Sequence, residues 1–230
     1  MISIQTIIAE EIAKEQEEKK HAPPKRWAAS MLGKCLCAAY LNRSGEKPTR
    51  ELDERTYRVF SVGNKFEAWL VDLIQKSKGV TNAYQPETQY IKQWDLAVRP
   101  DLYLEVDGEK VVYEIKTVHS QKFSYLIGTK TKKGEGPDKH YLMQLWCGMY
   151  AMGAKKGVLV YLSKDDLRVA EYQLELSDPE ISQACLEDIA TLNSAWQEKI
   201  PPKPRCVGTW LEKYCDFGEK CKEINNKHYK

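Results

Sequence analysis

The stretch Arg99-Pro-Asp101-Leu-Tyr-Leu-Glu-Val-Asp107-Gly108-Glu-Lys-Val-Val-Tyr-Glu114-Ile-Lys116 gathers two acids and a lysine at spacings suited to hydrolytic chemistry. Asp-Gly between two alternating runs predicts a β-hairpin closed by a two-residue type I′ turn. With Asp107 and Gly108 as the turn, cross-strand partners have residue numbers summing to 215, so Asp101 falls opposite Glu114. Opposed residues share a face with Cβ atoms roughly 4.5–5.5 Å apart, and Lys116 lies two residues further along that face. Leu102, Leu104, Val111 and Ile115 take the other face. Two carboxylates side by side are unfavourable without a counter-charge. Either the face is solvated and Lys116 dilutes the repulsion, or a divalent cation bridges the two acids. Hard cations such as Mg²⁺ take oxygen ligands, commonly one or two carboxylates with substrate phosphate and water. An ammonium beside one can orient or deprotonate a water and offset charge growing on a phosphate.

The elements around the hairpin follow from periodicity. A helix is expected over residues 1–20, with Ile4, Ile7, Ile8 and Ile12 on one stripe, as a docking or oligomerisation segment broken at His21-Ala-Pro-Pro. Ser30 to Asn42 reads as a short helix carrying Cys35 and Cys37, and Glu51 to Lys76 as a long one ending near Gly79. Strand period follows over Tyr84 to Ile91, Asp95 to Val106 and Lys110 to Val118. Residues 120–138, rich in lysine and glycine, are expected to form a mobile loop. Helix Lys139–Met152 closes on Gly153, strands run over Gly157–Leu162 and Leu167–Leu176, and Pro179 opens a helix to about Lys199. Pro201-Pro202-Lys203-Pro204 stops it before a cysteine-bearing tail. This order makes an α/β (α+β) layer fold, a central mixed β-sheet flanked by helices. Residues 1–25 form the leading helix and linker, 26–200 the core, and 201–230 a tail packing on the N-terminal cysteine segment.

Composition bounds the function. The 230 residues are 42% hydrophobic and 30% charged, which excludes collagen-like, low-complexity and wholly disordered chains. The net charge of +2 means any basic nucleic-acid footprint is local. No apolar run approaches the roughly 18 residues of a membrane span. Met1-Ile-Ser-Ile-Gln-Thr-Ile-Ile lacks a basic leader and runs into Glu10-Glu11, so a cytoplasmic protein without membrane partners is expected. Seven cysteines without export imply a reducing compartment, with thiols buried, catalytic or metal-bound.

Pro100-Asp101 followed by Glu114-Ile-Lys116 resembles the PD-(D/E)XK nuclease superfamily. Gly63-Asn-Lys-Phe-Glu67 looks like the motif that adds an acidic residue to the metal, and His140-Tyr-Leu-Met-Gln144 like the glutamine motif of RecB-type members. The resemblance covers roughly residues 28–222. It implies a restriction-endonuclease-like core, Asp101, Glu114 and the Ile115 carbonyl as ligands of Mg²⁺ or Mn²⁺, Glu67 as an outer carboxylate, Lys116 as the catalytic lysine and Gln144 as a catalytic helper. The family usually places tyrosine four residues after its glutamine. Here that position is Gly148, and Tyr150 lies about 240° round the helix from Gln144. Tyr150 is therefore read as core, while Tyr141, three before Gln144, shares its face.

Cys147 and Cys185 sit inside amphipathic helices and read as buried apolar residues. Cys35, Cys37, Cys206, Cys215 and Cys221 fall at the two ends of the domain. That distribution resembles the iron–sulfur branch of the same superfamily, CRISPR-associated and AddB-type nucleases and related phage exonucleases. It implies a [4Fe–4S] cluster on Cys35, Cys206, Cys215 and Cys221, tying the chain ends together. Four thiolates also suit Zn²⁺, Cys37 can stand in for Cys35, and five unligated thiols is the third alternative. The segment 120–140 carries Lys122, Lys130, Lys132, Lys133 and Lys139, either as a solvated face or as a phosphate-binding surface, with Arg99 and Lys65 as further DNA candidates. The expected function is a metal-dependent DNA nuclease, an exonuclease on single-stranded ends, with DNA and a recombination, helicase or CRISPR-adaptation protein as partners. The alternative is a noncatalytic nucleic-acid-binding or scaffold protein with a structural cysteine–metal site.

Overall fold

The computed structural model describes residues 3–18, 23–50, 52–129 and 131–229; Lys130 and the break expected at His21-Ala22 lie outside them. In chain order the described elements are α1 (Ile4–Glu18), β1 (Trp27–Ala28), α2 (Leu36–Arg43), α3 (Glu54–Gln75), β2 (Thr81–Tyr84), β3 (Gln89–Ile91), β4 (Leu96–Val98), β5 (Leu102–Val106) and β6 (Glu109–Val118). They continue with α4 (Ser120–Ile127), α5 (Lys139–Met152), β7 (Lys156–Ser163), β8 (Val169–Glu175), α6 (Pro179–Glu198) and α7 (Gly218–His228).

The central sheet has the order β2-β5-β6-β7-β8. Only β6 and β7 are parallel, joined by a crossover through α4 and α5; the other neighbours are antiparallel. Asp107 and Gly108 take φ of +50° and +78°, the left-handed pair a type I′ turn needs. The pairing Leu102 with Tyr113 through Val106 with Glu109 is therefore the register the Asp-Gly spacing dictates.

Two runs expected as single strands are each divided. Tyr84 to Ile91 splits between β2 and β3, and Asp95 to Val106 between β4 and β5. In the second case Pro100, which has no N–H to give to a ladder, lets the chain leave one sheet for another. The extra sheet, β1-β4-β3, is small, and its β1 is too short to carry a sequence pattern. The expected mobile loop at 120–138 is also corrected. Phe123 and Leu126 bury one face of α4, and the following residues fold back on it, Glu135 and Gly136 N–H donating to Tyr125 and Leu126 carbonyls.

Apolar residues bury on both faces of the sheet. One face packs Leu102, Leu104, Ile115, Val158 and Val160 with Val71 of α3. The other packs Tyr103, Val112, Leu159 and Tyr161 with α5 and α6. Arg43 lies between the rings of Trp27 and Trp196, at 4.2 and 4.3 Å, and pairs with Asp95, fixing α2 against β1 and α6.

Candidate active site and thiol centre

The hairpin delivers Asp101, Glu114 and Lys116 to one face, at the end of the sheet where β6 meets α5. Asp101 is 7% exposed and Glu114 1%. Asp101 Oδ2 accepts from the Ile115 N–H at 2.8 Å, which locks the carboxylate to β6 while the Ile115 side chain points to the α3 layer. Lys116 Nζ is in ion-pair contact with Glu114 Oε1 and 3.9 Å from Asp101 Oδ2. Buried Glu114 Oε1 takes no well-aligned hydrogen bond. Burial first, and then the Asp101 charge, push the Glu114 carboxyl up to about 8. Burial opposes the Lys116 charge, but the two carboxylates outweigh it and hold the ammonium above its ordinary range. An acid pair this desolvated, with one ammonium as counter-charge, is a donor set suited to a hard divalent cation.

Glu67 approaches from α3. It is half-buried, accepts from Gln85 Nε2 at 3.1 Å, and is raised by burial and then by the Asp101 charge, which places it in the same electrostatic site. From α5, the Tyr141 ring centroid lies 5.1 Å from Lys116 Nζ. Gln144 lines a cavity of about 300 Å³ with Ser30, Thr88, Arg99 and Asp101. Gly148 explains the missing tyrosine: a Cβ there would meet Pro100 Cγ at 3.3 Å, so α5 lies too close to the Pro100-Asp101 turn for any ring. Tyr150, expected in the core, is instead 39% exposed, its ring centroid 4.2 Å from that of Trp94 in a tilted contact, and accepts from Gln93 Nε2.

The lysines of 120–140 do not act as one group. Lys122 pairs with Asp138 at 3.1 Å and Lys139 with Glu180 at 2.9 Å. Lys132 and Lys133 are exposed and line a cleft with Gln121, Ser124 and Tyr125, the Lys132 ammonium 5.9 Å from the Tyr125 ring. Lys65 lines an apolar surface recess with Val62, Phe66, Trp69 and Leu167.

Three thiols from the two chain ends meet, with a fourth beside them. The Sγ atoms of Cys35, Cys206 and Cys221 lie within 4.8 Å of one another, Cys35 and Cys206 at 3.7 Å, and Cys215 lies near enough to influence their titration. Cys37 faces Cys221 from behind, in a small core with Leu41 and Phe217. Hydrogen bonds from Cys215 and Cys221 pull the Cys35 thiol far down, whereas burial and then the Cys35 charge push Cys206 up to about 12. Without a cation the group tolerates one thiolate; holding all four deprotonated takes a metal. Cys147 and Cys185 are buried in the main core, as their helical positions imply.

Asp188 and Arg205, which carry no sequence signal, anchor the backbone just before Cys35. Asp188 on α6, 4% exposed, accepts from the Gly33 N–H at 2.7 Å and pairs with Arg205 at 2.6 Å. Arg205 also donates to the Lys34 carbonyl at 3.2 Å. These contacts span 155 and 171 residues of chain, beyond any local pattern.

This arrangement of sheet, hairpin and α5 occurs in solved structures. A crystal structure of SSO0001 matches over 96% of each chain with a TM-score of 0.54 at 19% identity. The alkaline exonuclease LHK-Exo of Laribacter hongkongensis matches over 80% of this chain and 95% of its own, with a TM-score of 0.53 at 18% identity. The chain shares its fold with both of these structures. In sequence, it is 32% identical over 131 residues to the CRISPR-associated exonuclease Cas4 of Saccharolobus solfataricus, 56% of this chain and 54% of that protein. The chain thus spans about half the length of the curated relative it matches. No protein-family model matches the sequence. Among the described residues no helix is long and apolar enough to cross a membrane.

Proposed function

We propose that the chain is a metal-dependent DNA nuclease, acting as an exonuclease on single-stranded ends. The observation that carries this reading is the buried Asp101–Glu114 pair with Lys116 in ion contact, on a fold shared with exonucleases. Asp101, Glu114 and the Ile115 carbonyl would hold Mg²⁺ or Mn²⁺, with Glu67 as the outer carboxylate. When bound, the cation supplies Lewis acidity toward a phosphate oxygen and counter-charge for the acids. Lys116, whose ammonium is favoured by the two neighbouring carboxylates, donates to the attacking water and offsets charge on the phosphate. The Tyr141 ring, 5.1 Å from that ammonium, helps to position it, and Gln144 orients water or substrate from the cavity wall. Lys130, Lys132, Lys133 and Tyr141 are the DNA contacts this reading assigns.

Cys35, Cys206, Cys215 and Cys221 hold a metal centre in the same reading. Their division between the chain ends supports a structural [4Fe–4S] cluster. Zn²⁺ is the second reading, favoured by the 3.7 Å Sγ–Sγ spacing, since the edge of a tetrahedron with Zn–S bonds of about 2.3 Å is about 3.8 Å. Metal analysis of protein purified without oxygen separates the two. A recombination, helicase or CRISPR-adaptation protein is the partner class proposed, testable by co-purification.

End-labelled single- and double-stranded DNA, incubated with Mg²⁺, Mn²⁺ or EDTA, tests the activity. Cleavage in either metal, none in EDTA and none by Asp101→Asn is expected. Wild-type DNA binding that persists in EDTA with no cleavage in either metal overturns the nuclease and leaves a noncatalytic binding protein.

A further inference from the structure

Next to the acid site, on the neighbouring stripe of α3, lies an apolar recess that the chemistry described above does not use. Val62, Phe66 and Trp69, spaced i, i+4 and i+7, line it from one side of the helix, with Lys65 at its edge and Leu167 contributed by the β7–β8 turn. The recess is open and holds about 450 Å³. Phe66 and Trp69 meet edge to face at 6.4 Å, and Val62, Trp69 and Leu167 are exposed. Its place relative to the acids is set by α3. A Cβ on Gly63 would be 3.0 Å from the Oγ1 of Thr117, the residue after Lys116, so this side of the helix lies against the end of β6. Glu67 is one turn on from Gly63 and Phe66 is its neighbour in the chain, which puts recess and acid site within one helix width of each other, roughly 10–12 Å.

Leu167 is held in the recess wall against its own backbone preference. Its φ is +58°, a left-handed conformation that a bulky side chain rarely adopts. The turn imposes it. The Leu167 N–H donates to the Ser163 carbonyl at 2.9 Å, the Ser163 N–H to the Arg168 carbonyl at 2.9 Å, and the Lys164 N–H to the Val118 carbonyl at 2.8 Å, which ties the turn to the end of β6. Strain of this kind persists where the surroundings over-determine it, and it concentrates at ligand sites. The two acids of the turn are engaged elsewhere, Asp165 accepting from the Ser120 N–H at 2.6 Å and Asp166 from Arg168 Nε at 2.8 Å. Among the described residues Lys65 makes no ion pair, so the charge left at the rim is a cation.

An aromatic surface with an ammonium at its edge matches one nucleotide of a single strand, whose base stacks on the rings while its phosphate pairs with the lysine. A strand with one phosphate at Lys116 has its adjacent nucleotides within reach of α3. We propose that Phe66, Trp69 and Leu167 form a stacking subsite for an unpaired base of the DNA strand that occupies the acid site, with Lys65 on that nucleotide's phosphate. The identity of the ligand rests on the nuclease reading; the recess and its place beside the acids do not. In Ca²⁺, which stands in for Mg²⁺ while binding is measured, affinity is followed for an intact single-stranded oligonucleotide and for a series with one abasic site at each successive position. Stacking on an aromatic side chain is worth about fivefold to a hundredfold in affinity. One abasic position is expected to weaken wild-type binding within that range. Trp69→Ala should weaken binding of the intact strand as much and be indifferent to the abasic site at that position, while Trp69→Tyr keeps the wild-type pattern. Lys65→Ala should flatten the slope of log K against log salt by about 0.7, and Trp69→Ala should leave that slope unchanged. Leu167→Gly, which relieves the left-handed backbone, should melt no lower than wild type and still bind the strand more weakly.

Abasic penalties that are the same in wild type and Trp69→Ala at every position overturn the proposal, and so does wild-type affinity in both Trp69→Ala and Leu167→Gly. A Trp69→Ala protein that changes oligomeric state but keeps its DNA affinity overturns it as well, because the recess then belongs to a protein contact. A wild type that shows the expected abasic position but cuts nothing in Mg²⁺ or Mn²⁺ sinks the nuclease reading alone. A wild type that cuts DNA with no position depending on Trp69 sinks the subsite alone, and no DNA binding by the wild type overturns both.

Discussion

Glu114 is the residue on which the chemistry of the site turns, because its environment is wrong for a carboxylate. Burial and the neighbouring Asp101 charge raise it from 4.5 to about 8, so at neutral pH the metal-free protein holds a proton there that the unfolded chain has released. The native state then binds more protons than the unfolded state, and ∂ΔG/∂pH is negative. This group's contribution to stability is therefore lost as pH rises from about 4.5 through about 8. A cation must displace that proton, so titration calorimetry at pH 7, in buffers of differing ionisation enthalpy, should record proton release on Mg²⁺ binding, with affinity rising up to about pH 8. Glu114→Gln should abolish the release. Lys116 carries the second residue-scale prediction. Lys116→Met should lower kcat by about 10²-fold or more, the usual loss when a charge aimed at the transition state is removed. It should also leave Glu114 with less counter-charge and raise its apparent pKa further, readable as a shift in the pH dependence of Mg²⁺ binding.

At the level of elements, what was legible in the sequence followed from local chemistry with one solution. Asp107-Gly108 allows one tight turn, the turn fixes the register, and the register puts Asp101 and Glu114 on one face. Gly153 at φ +64° and Pro179 after the Asp178 cap delimit α5 and α6 in the same way. The helix α4 was hidden because lysines and glycines dominate its neighbourhood, while the residues that decide it, Phe123 and Leu126, bury only against the folded sheet. The pairing of α5 with the Pro100 turn was equally illegible, and it makes a test. Gly148→Leu places side-chain atoms where Pro100 and Val112 already lie. Overpacking of this kind typically destabilises by about 1–3 kcal/mol. The expected outcome in chemical denaturation is a loss in that range, together with weakened cleavage, because α5 carries Tyr141 and Gln144. Gly153→Ala, at the other end of the same helix, meets no atoms. It should cost stability through its left-handed backbone and leave kcat of the remaining folded protein unchanged.

Across the whole molecule, the thiol group closes a loop that the hydrophobic layers leave open. Cys35 and Cys206 are 171 residues apart, and Cys221 and Cys215 bring the last helix and its preceding turn to the same point. The tail has its own polar attachments, Arg50 to the Tyr214 carbonyl, Thr49 to Asp216 and Lys220 to Glu46, but they are exposed contacts of small individual worth. A metal held by thiols from both chain ends would be bound by the folded chain and not by the unfolded one, so its binding free energy would add to that of folding. The cysteines announced this closure by their distribution, since Lys203 to Lys230 offers few other apolar residues to bury. The Asp188–Arg205 pair beside them did not, because its partners meet only after the closure is made. Removing the metal should accordingly act in sequence. The thiols lose their shared counter-charge, the tail from Arg205 onward detaches, and the Gly33–Cys35 loop loses Arg205 as an anchor. Limited proteolysis of Cys215→Ser protein should cut first in 203–217 and leave a fragment retaining the hairpin and α5, and that protein should melt well below wild type. A Cys215→Ser protein that resists protease like wild type, with its metal gone, would mean that the sheet and helices hold the chain ends without help.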